Sequence, residues 1–165
     1  MISIEKVSTD SELHEVAVLA EKIWHEFFPV ILTEEQIDYM VEKFQSYEAM
    51  KNQTEYQDYF YLAVRNDGEL CGYIALKPEN NGRFFLSKLY LRNDMRGKGI
   101  ASQMMARVFE EARISEKNSV YLTVNKYNSH AIDVYHKIGF ETIDSVVTDI
   151  GNGFVMDDYI MEYRL

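Results

Sequence analysis

The sequence is poor in residues that form disulfides and metal sites. Cys71 is the only cysteine among 165 residues. A disulfide within the chain needs two thiols, and zinc sites built from cysteine also need at least two, so both are excluded. The four histidines show neither an H-E-x-x-H pattern nor the i, i+4 spacing of a helical zinc site. We therefore expect no metal.

Long hydrophobic runs and export signals are also missing. No window approaches the roughly 18 apolar residues that can cross a bilayer, and no cationic stretch precedes an apolar run at the N-terminus. We expect a protein of the reducing cytoplasm without a membrane partner. Hydrophobic residues make up 47% of the chain and aromatic residues 13%, which excludes a disordered chain and predicts one domain over residues 1–165.

Positive charge is scarce overall but concentrated in one segment. The chain has 17 Lys and Arg against 27 Asp and Glu, and its net charge of −10 opposes binding to nucleic acids and anionic membranes. Within residues 83–107, however, Asp94 is the only acidic residue among six basic ones: Arg83, Lys88, Arg92, Arg96, Lys98 and Arg107. This segment has either the composition of a site for a small polyanion or that of a solvated helix face.

Hydrophobic periodicity predicts an α/β fold in the order β-α-α-β-β-β-α-β-α-β-β. A short helical turn around residues 47–52 is expected after the second helix. Asp67-Gly68 predicts a hairpin turn, and the strand, helix, strand unit over residues 83–124 implies a parallel pair. We expect one mixed, mostly antiparallel sheet of about seven strands with helices on both faces.

A glycine-rich loop follows the apolar strand end Leu89-Tyr90-Leu91. Its sequence is Arg96-Gly97-Lys98-Gly99-Ile100-Ala101-Ser102, and the apolar spacing after it predicts a helix. A helix N-terminus directs free N–H groups toward a phosphate, while glycines allow close approach and cations add charge. The loop lacks the Gly-Lys-Ser/Thr of a Walker motif and the third glycine of a Rossmann fingerprint.

A second pattern lies downstream, with Asn128, Ala131, Tyr135 and Gly139-Phe140 at helical spacings. The two patterns together resemble the GNAT superfamily of N-acetyltransferases. This resemblance implies acetyl-CoA as cosubstrate and an amine acceptor, bound together in a cleft. The cleft is expected where two central parallel strands, ending near Leu91 and Val124, splay apart.

The resemblance also implies roles for individual residues. The backbone of the strand Leu89-Tyr90-Leu91 is expected to pair with the pantetheine arm, and the loop from Arg96 to Ser102 to bind the pyrophosphate. Asn128 aligns with a residue that contacts the CoA arm. Tyr135 aligns with the residue that protonates the departing thiolate, although an ordinary core tyrosine is the alternative.

The general base is not assigned by the sequence. The strand before the loop contains no Asp or Glu, so Glu26, water held near Ser87, or no base at all remain open. Residues 24–60 are expected to form the acceptor wall, and their acidic residues hint at a cationic acceptor. These acidic residues are Glu26, Glu34, Glu35, Asp38 and Glu42.

The predicted function is transfer of an acetyl group from acetyl-CoA to an amine of a small molecule, such as a polyamine or an amino acid. Two alternatives remain: a sensor that binds acyl-CoA without turnover, and an enzyme that acetylates a protein N-terminus or lysine. No nucleic-acid partner is expected, and a homodimer is left open.

Overall fold

A computed structural model describes residues 1–165 and contains seven strands and five α-helices. The strands are β1 Ile2–Lys6, β2 Phe60–Asn66, β3 Glu69–Pro78, β4 Arg83–Leu91, β5 Ser119–Asn125, β6 Glu141–Gly151 and β7 Phe154–Arg164. The helices are α1 Asp10–Phe27, α2 Glu34–Met40, α3 Tyr47–Tyr56, α4 Ile100–Ile114 and α5 Ser129–Ile138. A π-helical turn, Val41–Gln45, joins α2 to the segment before α3.

All seven strands form one mixed sheet in the order β1-β2-β3-β4-β5-β7-β6. Every neighbouring pair is antiparallel except β4 and β5. Gly68 has a φ of +86° in the turn between β2 and β3, which is the conformation that the Asp-Gly pair predicts. The predicted mixed, mostly antiparallel sheet is confirmed.

The parallel strands β4 and β5 pair over only three residues. Arg83–Phe85 lie opposite Ser119–Tyr121, and the pairing ends there. The register of β4 against β3 shifts at Ser87, which is an irregularity of the β-bulge type. Because a bulge bends a strand and increases its twist, β4 leaves β5 and a gap opens in the sheet. The splayed central pair is thus confirmed.

Helices cover both faces of the sheet. The largest buried cluster lies between α4 and the central strands, and it includes Phe84, Met104, Val108, Val120 and Met161. A second cluster joins α1 and α3 to the opposite face, with Leu13, Val16, Met50, Tyr61 and Tyr73. A third connects α1 and α2 with the end of β6, through Trp24, Phe28, Met40 and Ile150. The split between β4 and β5 therefore has packed layers on both sides.

The segment before β2 is more helical than the sequence indicates. The expected turn at residues 47–52 is the start of α3, a ten-residue helix whose N-cap Ser46 accepts a hydrogen bond from the N–H of Ala49. Only Met50 and Gln53 are buried in α3, so its apolar stripe is too narrow to predict its length. No helix of the structure is both long enough and apolar enough to cross a bilayer.

Candidate active site

A cavity of about 1030 Å³ occupies the gap between β4 and β5. Eleven of the twelve residues predicted to bind the cofactor line it; Lys98 does not. The eleven are Leu89, Tyr90, Leu91, Arg96, Gly97, Gly99, Ile100, Ala101, Ser102, Asn128 and Tyr135. Two sequence patterns that lie about 30 residues apart therefore meet around one space.

The glycines of the loop adopt a conformation that other residues avoid. Gly97 and Gly99 both have a φ of +77°, and a Cβ added at either would have no heavy atom within 4 Å. The space beside them is open to a ligand. A larger residue would still be strained here, because positive φ disfavours side chains and β-branched ones most of all.

The start of α4 directs unpaired N–H groups into the cavity. The first helical hydrogen bond runs from the N–H of Gln103 to the carbonyl of Gly99. The N–H groups of Ile100, Ala101 and Ser102 precede that bond and have no helical acceptor. Together with the positive end of the helix dipole, they form a site suited to an anion.

The six cations of the basic segment have different roles in the structure. Three of them form salt bridges: Arg83 with Glu162, Arg92 with Glu69 and Asp94, and Arg107 with Glu111. Lys88 is buried and bonds acceptors of the protein itself. Arg96 and Lys98 make no salt bridge and are exposed at the loop, where the guanidinium of Arg96 lies 4.8 Å from the centre of the Phe27 ring. Only these two cations are therefore free to face an anion at the loop.

Both strands that flank the cavity have unpaired edges. β4 pairs with β3 as far as Leu91, but its other edge has no partner beyond Phe85. β5 pairs with β7 as far as Asn125, and its edge facing β4 is free beyond Tyr121. Free N–H and C=O groups on both edges can bind an extended ligand as an added strand would bind.

Helix α5 closes one side of the cavity. The side-chain oxygen of Asn128 accepts a hydrogen bond from the N–H of Ala131 and caps the helix, so its amide NH₂ remains as a donor. The Tyr135 ring packs edge-on against Phe140 with centroids 5.6 Å apart, and its hydroxyl makes no hydrogen bond within the protein. Burial raises the pKa of Tyr135 to about 12, so the hydroxyl keeps its proton at neutral pH.

The opposite side of the cavity is predominantly apolar. Residues 24–60 supply much of this wall, as the sequence predicts: Trp24, Phe27, Phe28, Leu32, Met40 and Phe44. None of the five acidic residues from this segment lines the cavity; Asp38 bonds the ring of His25, and Glu26 lies in a separate surface groove beside Arg92. They give no support to a cationic acceptor, and Glu26 is not placed to act as the base.

Lys88 is a buried cation that sequence reasoning treated only as part of the basic segment. It is 5% exposed and lines the cavity, and its Nζ donates to the carbonyl of Phe44, to Gln53 Oε1 at 3.2 Å and to the Tyr61 hydroxyl at 2.6 Å. No carboxylate bonds it. Burial lowers the pKa of Lys88 to about 7. This cluster ties α3 and the π-helical turn to the sheet.

Asp158 was missed by the sequence reasoning. It lies on β7 opposite Asn125 of β5 and is the only acidic residue that lines the cavity. The sequence did indicate which way Asp158 faces, because Phe154, Met156 and Asp158 occupy every second position of the strand and therefore share one face. An acidic residue in that inward row indicates a functional site, but only once the face is known to border the gap.

The comparison with known families bears directly on this geometry. Residues 18–140 match the family described as "Acetyltransferase (GNAT) family". The chain belongs to the GNAT family. An uncharacterized N-acetyltransferase of Mycobacterium tuberculosis is 33% identical over 104 residues, which cover 63% of this chain and 66% of that protein. The spermine/spermidine N(1)-acetyltransferase of Bacillus subtilis is 29% identical over 83 residues, covering 46% and 55%. The alignments thus span less than two thirds of either relative.

Solved GNAT structures share the whole architecture. The PaiA N-acetyltransferase from Thermoplasma acidophilum, in complex with coenzyme A, matches with a TM-score of 0.83 at 25% identity, covering 100% of this chain and 99% of that chain. A GCN5-related N-acetyltransferase from Rhodopseudomonas palustris matches with a TM-score of 0.82 at 13% identity and supports the fold alone. The open strand edges, the glycine loop and the free N–H groups of this chain fit an extended thioester with a pyrophosphate.

Proposed function

We propose that this GNAT protein is an N-acetyltransferase that moves the acetyl group of acetyl-CoA to an amine of a small molecule, with both substrates bound together. The observation that carries the proposal is the cavity itself, because one space is bordered by the phosphate-binding loop, two open strand edges and the Tyr135 hydroxyl. In this proposal residues 1–165 act as one N-acetyltransferase domain in the cytoplasm.

The residues around the cavity divide the binding of acetyl-CoA among them. The N–H groups at residues 97–102 hold the pyrophosphate, with Arg96 adding charge and Lys98 contributing at longer range. The backbone edge of Leu89-Tyr90-Leu91 pairs with the pantetheine arm, and the Asn128 amide donates to it. This arrangement directs the thioester toward the apolar end of the cavity, where the acceptor arrives.

Tyr135 assists the departure of the thiolate in this proposal. Its pKa of about 12 lies well above that of an alkyl thiol, near 8.5, so full transfer of the proton to sulfur is uphill by about 5 kcal/mol. The Tyr135 hydroxyl therefore donates a hydrogen bond to the sulfur and gives up its proton only as another proton arrives at the Tyr135 oxygen. A group that delivers protons from the acceptor amine would complete this relay.

A thiol-release assay tests the proposal. The protein is mixed with acetyl-CoA and a panel of small amines, and free CoA thiol is measured with the acetylated product identified by mass. Release that depends on a small amine is the expected result. Binding of acetyl-CoA without release would favour the sensor alternative, and activity toward peptides but not small amines would favour a protein acetyltransferase.

A further inference from the structure

Asp158 is a buried carboxylate without a partner. It is 5% exposed, and its side chain makes no hydrogen bond or salt bridge within the protein, although it borders the cavity. A carboxylate removed from water in this way is costly unless a cation or donors compensate it. The fold keeps this unfavourable group, which indicates that its partner is a ligand.

The groups around Asp158 do not neutralise it. On β7, its neighbour Asp157 points to the other face and pairs with Lys126 at 2.8 Å. Tyr90 on β4 and Tyr135 on α5 contribute neutral phenols, and α1 and α2 contribute only uncharged side chains to the cavity. Burial raises the pKa of Asp158 to about 6, with Asp157 adding to the rise and Lys126 opposing it. Asp158 is therefore ionised at neutral pH and able to accept a proton.

Asp158 and Tyr135 both line the cavity, and Tyr90 lies near each of them. Burial raises the pKa of Tyr90, and the next largest causes are its proximity to the Tyr135 phenol and then to the Asp158 carboxylate. Tyr90 is thus within electrostatic range of both groups. Because Tyr90 lies on the free edge of β4 that would pair with the arm of acetyl-CoA, the carboxylate borders the part of the cavity that this arm would enter.

Resting on the function proposed above, we propose that Asp158 binds the ammonium of the acceptor and takes its proton, and that this acceptor carries a single amine on an apolar body. The apolar body follows from the cavity wall, where Trp24, Phe28 and Met156 pack in one cluster and Met156 shares a face of β7 with Asp158. A polyamine would bring further ammonium groups into a space that has no second carboxylate. Lys88, Arg96 and Lys137 line the same cavity and would repel them.

The proton transfers balance as follows. One proton of the acceptor ammonium passes to Asp158, and the freed lone pair forms the C–N bond to the acetyl carbon. The C–S bond breaks with its electron pair on sulfur, which takes the hydroxyl proton of Tyr135. The second proton leaving the nitrogen replaces it on the Tyr135 oxygen. The products are an amide, a thiol and one proton on Asp158, which returns to solvent.

The experiment compares wild type with Asp158→Asn and with the matched control Asp157→Asn, which changes the adjacent, partly exposed carboxylate. Thiol release from acetyl-CoA is followed between pH 5 and 9 with 2-phenylethylamine and with spermidine. For wild type we expect kcat/KM with 2-phenylethylamine to exceed that with spermidine and to rise through pH 6. Asp158→Asn should lower kcat/KM by about 100-fold, raise KM and remove the rise near pH 6. Asp157→Asn should keep the wild-type kcat/KM at pH 8 and retain the rise, moved to lower pH because the Asp157 charge no longer raises the pKa of Asp158.

Different failures of this experiment have different meanings. Turnover of 2-phenylethylamine by Asp158→Asn at the wild-type rate, with the same pH profile, would overturn the role of Asp158 and leave the acetyltransferase function in place. A wild-type preference for spermidine would overturn the apolar, single-amine acceptor. An absence of amine-dependent release by wild type would overturn the proposed function and this inference with it.

Discussion

Replacing Asp158 with Asn should make the protein more stable while it impairs turnover. The physical reason is that the folded protein holds the carboxylate in an apolar cavity, whereas the unfolded chain exposes it to water. Its pKa is raised by burial to about 6, compared with 3.8 for an exposed aspartate. A raised folded pKa means that the folded protein loses stability as pH rises from 3.8 through 6.

The magnitude follows from the two pKa values. A difference of about 2 pKa units corresponds to about 3 kcal/mol of stability lost by wild type above pH 6. Asn removes the charge but leaves a polar amide in the same place, so we expect a gain of about 1 to 3 kcal/mol at pH 7.5. For a chain of this length, each 1 kcal/mol raises Tm by about 2 to 4 °C. At pH 4 the advantage of Asn should fall below about 1 kcal/mol.

Urea unfolding of wild type, Asp158→Asn and Asp157→Asn at pH 7.5 and pH 4 provides the measurement. Asp157→Asn breaks only a partly exposed ion pair with Lys126 and should change stability by less than about 1 kcal/mol. If Asp158→Asn were no more stable than wild type at pH 7.5, the carboxylate would not be destabilised by its site, and the reasoning would fail. A gain that persisted unchanged at pH 4 would exclude the charge as its cause.

Three further substitutions test the rest of the site. Tyr135→Phe should lower the rate in single-turnover assays by about 100-fold while acetyl-CoA binding is retained. Tyr163 also packs against Phe140 but lies outside the cavity, so Tyr163→Phe should keep the wild-type rate. Gly99→Ala and the control Gly68→Ala should each lose about 1 kcal/mol of stability, because both glycines have a positive φ. Only Gly99→Ala should weaken acetyl-CoA binding, by about 10- to 100-fold in calorimetry. Equal affinities of the two variants would contradict the assignment of the loop. Wild type should gain about 2 kcal/mol of stability from pH 7 to pH 9, because the unfolded chain holds the Lys88 proton that the folded protein releases near pH 7. Lys88→Met should abolish that gain in urea unfolding, and a gain of the same size in the variant would assign it to other groups.

The cofactor side of the cavity could be predicted because its chemistry is local in sequence. Consecutive residues build the loop from Arg96 to Ser102, and the glycine conformations and helix start follow from those residues alone. The helix that begins after Asn128 is likewise predicted by its N-cap residue and by the helical spacing of its apolar residues. The hairpin of β2 and β3 followed from the Asp67-Gly68 turn signal, and the parallel pairing of β4 and β5 followed from the strand, helix, strand unit.

The acceptor side could not be predicted because it depends on contacts between distant strands. Strict alternation would place Lys88 on the same face as Phe84 and Leu86, but the bulge at Ser87 moves it to the other face. Asp158 faces the cavity only because β7 pairs with β5 in a register that sets it beside the gap. The acidic residues of α1, α2 and the π-helical turn suggested a cationic acceptor from composition alone, but all five lie outside the cavity. The negative charge in the cavity comes from Asp158 on β7.

The brief contact between β4 and β5 also limits how firmly the backbone joins the two halves of the sheet. It divides the seven strands into a group of four and a group of three that share only the three residue pairs of Arg83–Phe85 with Ser119–Tyr121. Resistance to bending between the two groups of strands therefore comes mainly from the helices packed over β4 and β5, because few backbone hydrogen bonds join these strands. A ligand bonded to both free edges would bridge the two groups, so substrate binding would turn a hinged sheet into a rigid one. Amide hydrogens along the gap, which exchange readily when the edges are free, would then become protected on both strands at once.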